Sequence, residues 1–320
     1  MTKPTSSLPN HKVGTTPNKL TMRYQLVINR ASGSGILDNQ EGQERLVSIF
    51  AEAGHEVTVQ VVDPPHLDRA LTDALASDCD GIIIGGGDGS ITSTADRVAQ
   101  SDKVLGVLPL GTFNLEARDL GMSLDPFEAA RELATAEVKK IDLLRVNEFP
   151  CLCTMVIGFY PIAAKMRKDI HGSAWWRKSL QIPLQMTQIA TRCPVLNLTL
   201  RTDGQTVRRK TRATAFSPGE YVDEFGLIPR RENLASGKLF TYISEHLTRA
   251  QLWKLSLDFL TGRLFSTEGM TVLDCEELTL NAGKKGQIPA MIDGEIVRLQ
   301  LPCQIRVEPA ALSILVPFQP

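Results

Sequence analysis

At 320 residues the chain is long enough for two domains, each with its own core. Its apolar content of 42% is ordinary and its formal net charge is −1, a balance that argues against nucleic acid or a strongly acidic partner. The 6 Cys include no Cys-x-x-Cys pair and have no His at ligand spacing, which excludes a zinc motif and leads us to expect reduced, structural thiols in a cytoplasmic protein.

Residues 1–21 are rich in Ser, Thr, Pro, Asn and Lys and lack an apolar run, so a disordered tail is expected rather than a signal peptide. Tyr24–Ile28 reads as a strand, ending in the polar turn Asn29-Arg30-Ala31-Ser32-Gly33-Ser34-Gly35. Leu46, Ile49, Phe50 and Ala53 mark one face of a helix, stopped by Gly54. Val57–Val62 is the next strand, and Leu67, Ala70, Leu71, Ala74 and Leu75 mark the next helix. Ile82, Ile83 and Ile84 form an all-apolar run, the mark of a strand buried on both faces. It runs into Gly85-Gly86-Gly87-Asp88-Gly89-Ser90, behind which Ile91, Ala95 and Val98 repeat at helical spacing. Val104–Leu108 is a further strand, ending in Pro109-Leu110-Gly111-Thr112-Phe113-Asn114, and Phe127, Ala130 and Leu133 mark one more helix.

This alternation predicts an α/β domain over 22–140 with a parallel sheet covered on both faces. Three strand ends then carry Gly, Ser, Thr and Asn. Ends of parallel strands point the same way, so the three loops are expected to share one cleft. At a glycine-rich strand-to-helix turn the backbone N–H groups can approach an anion, with a helix N-terminus behind them. Asp88 is the only charge in that turn, and a carboxylate beside bound phosphate suits magnesium or proton transfer.

From Ile141 to the end of the chain strand-like runs dominate: Ile141–Val146, Leu152–Ile157, Val195–Leu200, Arg212–Phe216, Lys238–Ile243, Val272–Leu280, Ile296–Leu301, Gln304–Val307 and Leu312–Val316. They predict an antiparallel β-sandwich or barrel over 141–320, with helical insertions around 163–192 and 247–264. Cys151 and Cys153 fall on one face of the expected strand 152–157 and its approach.

With these loops and an all-β second half, the chain resembles the diacylglycerol kinase catalytic-domain family, which includes bacterial lipid kinases and the sphingosine and ceramide kinases. The family pattern Asn-Pro-x-Ser-Gly appears as Asn29-Arg30-Ala31-Ser32-Gly33, and Gly-Gly-Asp-Gly-Thr as Gly86-Gly87-Asp88-Gly89-Ser90. Pro-x-Gly-Thr-x-Asn-Asp-x-Ala-Arg appears as Pro109 to Arg118, and a late Asp-Gly-Glu as Asp293-Gly294-Glu295. The resemblance implies a nucleotide domain like that of NAD kinases and 6-phosphofructokinases, then a β-sandwich, with ATP between them. It implies an ATP- and Mg2+-dependent lipid kinase, diacylglycerol to phosphatidic acid being the leading reaction. A sphingoid base or phosphatidylglycerol is an alternative acceptor, and a weak or regulatory lipid-binding relative an alternative class.

The resemblance assigns nucleotide binding to Asn29, Ser32, Gly33, Gly86, Gly87, Asp88, Gly89, Ser90, Gly111, Thr112 and Asn114. Asp88 would hold magnesium, and Glu295 would be the general base, with either carboxylate able to take either job. Two departures stand out. Leu115 occupies a position that is usually acidic, with Glu116 one residue later. Ser236 stands where some bacterial members place an Asp that helps hold a structural magnesium, so that metal is not expected here. No segment is long enough to span a membrane, so binding to the lipid surface should be peripheral and reversible. Trp175-Trp176-Arg177-Lys178 suits a membrane interface, while Leu252-Trp253-Lys254 with Phe259 and Arg263-Leu264-Phe265 better suits covering a core. A homodimer is left open.

Overall fold

The computed structural model describes residues 21–32, 35, 37–112, 114–158, 194–202, 204–222, 230–245, 248, 251, 269–283 and 286–318. Residues 1–20 of the expected tail, Gly33, the expected helical insertion over 163–192, that over 247–264 apart from Thr248 and Gln251, the tryptophans of both, and Cys193 lie outside them.

The first half alternates strand and helix: β1 (Arg23–Asn29), α1 (Gln40–Glu52), β2 (Glu56–Val62), a single 3-10 turn, α2 (Leu67–Ala76), β3 (Gly81–Gly86), α3 (Asp88–Val98), β4 (Val104–Pro109), α4 (Leu115–Asp119) and α5 (Pro126–Ala134). The sheet runs β2-β1-β3-β4, all parallel. Every residue of β3 and β4 is buried, which is why their sequences are unbroken apolar runs. β2, at the edge, alternates instead. Asn39 caps α1 by accepting the Gly42 N–H, and Asp125 caps α5 by accepting from Phe127 and Glu128.

The second half is antiparallel: β5 (Glu137–Val146), β6 (Phe149–Cys151), β7 (Met155–Gly158), β8 (Leu196–Thr202), β9 (Gln205–Thr211), β10 (Ala213–Ser217), β11 (Tyr221–Val222), β12 (Arg230–Arg231), β13 (Leu239–Ser244), β14 (Met270–Cys275), β15 (Glu277–Ala282), β16 (Gln287–Ile292), β17 (Glu295–Gln300) and β18 (Cys303–Val316). One sheet runs β14-β13-β10-β7-β16-β17. The other runs β18-β15-β8-β9, with β5 and β6 beside β18. Leu144, Met155, Phe216, Leu280 and Ile305 lie in the core they share.

β18 joins the two halves. Its first part pairs with β15, and past a bulge between Glu308 and Leu312 its second part lies parallel to β4, with Ile314 opposite Leu105. Three expectations need correction. Leu152–Ile157 is not one strand: Leu152, Cys153 and Thr154 form a loop between β6 and β7, because their N–H groups turn to a side chain, Asp293. Cys151 and Cys153 are therefore not partners on one strand, although both are buried. Val272–Leu280 is two strands divided at Glu276, whose carbonyl accepts the Val307 N–H. Cys79, Cys151, Cys153 and Cys303 are free thiols.

Candidate active site

β1, β3 and β4 run in register, so Ile28 lies beside Gly85, and Gly86 beside Pro109. Their C-terminal ends deliver the three polar loops to one edge. The loops are tied to one another. The Asn29 amide donates to the Ser90 hydroxyl at 3.1 Å, and the Ser32 hydroxyl accepts the Gly87 N–H at 3.3 Å. Asn114 closes the third loop on itself: its side chain accepts the Gly111 N–H at 2.7 Å and donates to the Gly111 carbonyl at 3.1 Å. Asn114 does this from the left-handed region, with φ of 51°, a conformation that Asn tolerates better than most residues. Thr112 is exposed on the same loop.

Two glycines are there for packing. A Cβ on Gly86 would stand 2.8 Å from Ser90 Cβ, and one on Gly111 would stand 2.7 Å from Gly87 Cα. Gly87 differs. A Cβ there would meet nothing closer than 3.7 Å, and its φ of −86° suits any residue. The fold therefore does not by itself require glycine at this position.

Asp88 opens α3. Its carboxylate accepts the Leu115 N–H at 2.6 Å and the Asn114 N–H at 3.2 Å, so it caps α4 and locks the third loop to the second. Burial pushes its carboxyl up. The N–H bonds from Leu115 and Asn114 oppose the rise, while the charge of Asp293 adds to it. Leu115 thus reaches the site through its backbone. Glu116 does not replace an acid at position 115. It is buried and turned away, accepting from the Cys153 thiol at 2.9 Å and lying 3.5 Å from Arg231.

The second carboxylate arrives from the sandwich. Glu295 begins β17, is exposed, and lies over Gly89, where an added Cβ would sit 3.4 Å from its Oε1. Its position is set by Asp293, two residues earlier in the β16–β17 turn. Asp293 is buried, with φ of 43°. Its carboxylate accepts the N–H groups of Leu152, Cys153 and Thr154 at 2.6, 2.9 and 2.8 Å, and the Thr92 hydroxyl of α3 at 3.0 Å. One side chain thereby fastens the turn, the β6–β7 loop and the helix headed by Asp88.

A second fastening lies beneath. Arg231 on β12 is buried and bound to Asp119 of α4 through both its backbone N–H, at 2.7 Å, and its guanidinium. Glu116, Asp119 and Cys153 cluster closely enough to suggest a metal, but the Arg231 guanidinium already lies among them.

Sequence comparison decides what this arrangement belongs to. Residues 23–146 match the diacylglycerol kinase catalytic domain, and residues 160–316 match the YegS C-terminal NAD kinase beta sandwich-like domain. The chain belongs to the diacylglycerol kinase catalytic-domain family of lipid kinases. It is similar to the diacylglycerol kinase of Bacillus subtilis, 23% identical over 297 residues, 87% of this chain and 93% of that one. It is also similar to a probable YegS-like lipid kinase of Pseudomonas aeruginosa, 36% identical over 114 residues that span 34% of this chain and 37% of that relative. Two crystal structures of Bacillus anthracis proteins share the fold. One aligns at TM-score 0.71 and 20% identity over 95% of this chain and 98% of its own, and the other, of a diacylglycerol kinase, at 0.66 and 18% over 92% and 97%. Among the described residues no helix is long and apolar enough to cross a membrane.

The structure brings together Asn29, Ser32, Gly86, Gly87, Asp88, Gly89, Ser90, Gly111, Thr112, Asn114 and Glu295. Sequence reasoning missed the part played by Thr92 and Asp293. The only signal available was an acid leading the Asp-Gly-Glu turn, which a hairpin explains equally well.

Proposed function

We propose that this lipid kinase moves the γ-phosphoryl group of ATP to the hydroxyl of a membrane lipid, with diacylglycerol the acceptor and phosphatidic acid the product. The observation that carries the reading is the approach of Glu295, from the sandwich, to Gly89 in the loop headed by Asp88. Two carboxylates from the two halves of the chain thereby meet at one helix N-terminus, where backbone N–H groups favour phosphate.

The nucleotide would lie along Asn29–Gly33, Gly86–Ser90 and Gly111–Asn114. The lack of a side chain at Gly87, where a Cβ would make only ordinary contacts with Gly111 Cα and Ser32 Oγ, supports a close approach of phosphate to backbone. Asp88 fits a magnesium ion shared with those phosphates. Each carboxylate oxygen accepts one N–H and keeps a further lone pair. When bound, the metal would neutralise charge on the transferring group. Glu295 takes the proton of the lipid hydroxyl as its oxygen bonds to phosphorus, and ADP leaves. We take 22–140 as the nucleotide-binding part and 141–320 as the lipid-binding part.

Labelled ATP, magnesium and a panel of lipids in mixed micelles, with products separated, tests the reading. Labelled phosphatidic acid is the expected result, and label on a sphingoid base or phosphatidylglycerol would name a different acceptor. Leu115, in place of an acid, favours a second reading as a regulatory lipid-binding relative. That reading gains if no lipid is labelled while nucleotide still binds.

A further inference from the structure

The edge of the large sheet far from the parallel half is strongly cationic. Residues 196–212, the hairpin of β8 and β9 with the residue after it, hold Arg201, Arg208, Arg209, Lys210 and Arg212 against one acid, Asp203. The whole chain, by contrast, carries a net charge of −1. β9 is the last strand of that sheet.

Pairing register sorts these side chains onto faces. Leu198 and Leu200 are buried in the sandwich core and lie opposite Arg209 and Val207. Alternation then puts Asn197, Thr199 and Arg201, with their partners Lys210, Arg208 and Thr206, on the outer face. β15 continues that face with Thr279 opposite Arg201 and Asn281 opposite Thr199. Arg201, Arg208 and Lys210 therefore stand exposed over small polar side chains. The nearest acid of β15 on this face, Glu277, is across from Arg306 of β18. Several exposed arginines elsewhere are paired: Arg23 with Asp78, Arg30 with Asp63, Arg131 with Glu128, Arg306 with Glu308. Among the described residues Arg201, Arg208 and Lys210 have no such carboxylate partner.

We propose that the outer face of the β8–β9 hairpin is a docking surface for an anionic phospholipid bilayer. Charge on an edge strand also guards against strand-to-strand aggregation, but charge of either sign does that. Here one sign gathers on one face, on the half of the molecule that would carry the lipid. The inference rests on the lipid-kinase reading, which requires the protein to reach a bilayer. Basic residues near an anionic surface each strengthen binding by about fivefold at low salt, and the effect fades as salt screens it.

Sedimentation of the full chain with phosphatidylcholine vesicles, with and without phosphatidylglycerol, tests this. The wild-type protein should bind the phosphatidylglycerol vesicles and lose binding as salt rises. Arg208→Glu with Lys210→Glu should weaken that binding by about 25-fold or more, since two cations are removed and two anions added. Turnover of a short-chain, water-dispersed diacylglycerol should not change. Arg208→Gln with Lys210→Gln, a milder pair, replaces the reversal if its thermal melt shows that it fails to fold. Wild-type binding indifferent to phosphatidylglycerol, or variant binding equal to wild type, overturns the proposal. So does a variant that turns a dimer into a monomer on sizing while vesicle binding persists, because the face would then join two copies. None of these readouts needs turnover on long-chain lipid, so a wild-type protein that labels no lipid is a separate failure, of the kinase reading.

Discussion

Thr92 and Asp293 are 201 positions apart and share a hydrogen bond, the Thr92 hydroxyl donating to the Asp293 carboxylate at 3.0 Å. Thr92 rides on the helix that Asp88 heads, and Asp293 sits two residues before Glu295. The bond therefore fixes the distance between the two carboxylates assigned to chemistry. Asp293→Asn would put an amide donor among three backbone N–H groups that need an acceptor. Leaving buried donors unsatisfied costs about 1–3 kcal/mol each, and we expect a loss of about 2–4 kcal/mol in urea unfolding. We also expect at least a tenfold fall in kcat in the folded fraction. Thr92→Val removes one bond and leaves the other acceptor contacts, so it should cost about 1 kcal/mol. Native stability and kcat in Asp293→Asn would show that the turn holds its place without this side chain.

Gly87 and Gly111 separate packing from ligand space. Gly87→Val should fold with a melting temperature close to wild type, since an added Cβ meets nothing closer than 3.7 Å. It should lose ATP affinity by at least tenfold, because the branched side chain stands where phosphate would lie. Gly111→Ala should do the reverse. Its Cβ would press on Gly87 Cα at 2.7 Å, so stability falls first. Calorimetric titration with Mg-ATP, paired with thermal melts, checks both. ATP bound at wild-type affinity by folded Gly87→Val would remove this loop from the nucleotide site.

How far the sequence could be read follows from where each partner lies. β3 was legible because both its faces are buried, so Ile82–Ile84 reads the same however the neighbours are arranged. The cleft was legible for the same reason: parallel strands bring their ends together without further information. β9 was not legible, because an edge strand with one Val among Arg, Lys, Thr and Gln carries little apolar signal. β16 was hidden by Pro289. Leu152–Thr154 has the alternation of a strand, yet its N–H groups bind a carboxylate about 140 residues away. Arg231 and Asp119, 112 residues apart, are no easier to pair from local pattern.

The buried Glu116 should make stability depend on pH. It shares one guanidinium, that of Arg231, with Asp119, and one cation cannot neutralise two buried carboxylates. Burial pushes the Glu116 carboxyl up to about 8, against the attraction of Arg231 and with the help of Asp119. The unfolded chain releases this proton near the ordinary Glu value, while the folded chain keeps it. The stability it contributes is thus fully present at acid pH, below the unfolded value, and is lost as pH rises toward about 8. Within that window the slope for one proton is about 1.4 kcal/mol per pH unit. Glu116→Gln keeps the shape and removes the titration, so its stability should be flatter from about pH 5 to 8. Parallel slopes for the two proteins in urea titrations would mean that Glu116 is ionised in the fold.

The two carboxylates of the site should separate in kinetics. A lipid hydroxyl is a poor nucleophile at neutral pH and loses its proton as its oxygen bonds to phosphorus. A positioned carboxylate contributes about 10²–10⁴-fold to such a step. Glu295 is exposed at the start of β17 and is held over Gly89 by its turn rather than by burial. Glu295→Gln should therefore leave stability and Mg-ATP affinity unchanged and lower kcat by at least about 100-fold. Asp88 does two jobs, one of them structural. Its oxygens cap α4 through the N–H groups of Asn114 and Leu115, so Asp88→Asn must place its amide nitrogen against one of those donors. We expect Asp88→Asn to lose stability by about 1–2 kcal/mol, to bind Mg-ATP more weakly in calorimetry, and to need more magnesium for what activity remains. A base and a metal ligand differ in that last respect, since added magnesium offsets a weakened ligand and cannot supply a missing base. If Glu295→Gln is nearly fully active and Asp88→Asn is dead at every magnesium concentration, the base is Asp88, and Glu295 serves only to bring the sandwich to the loop.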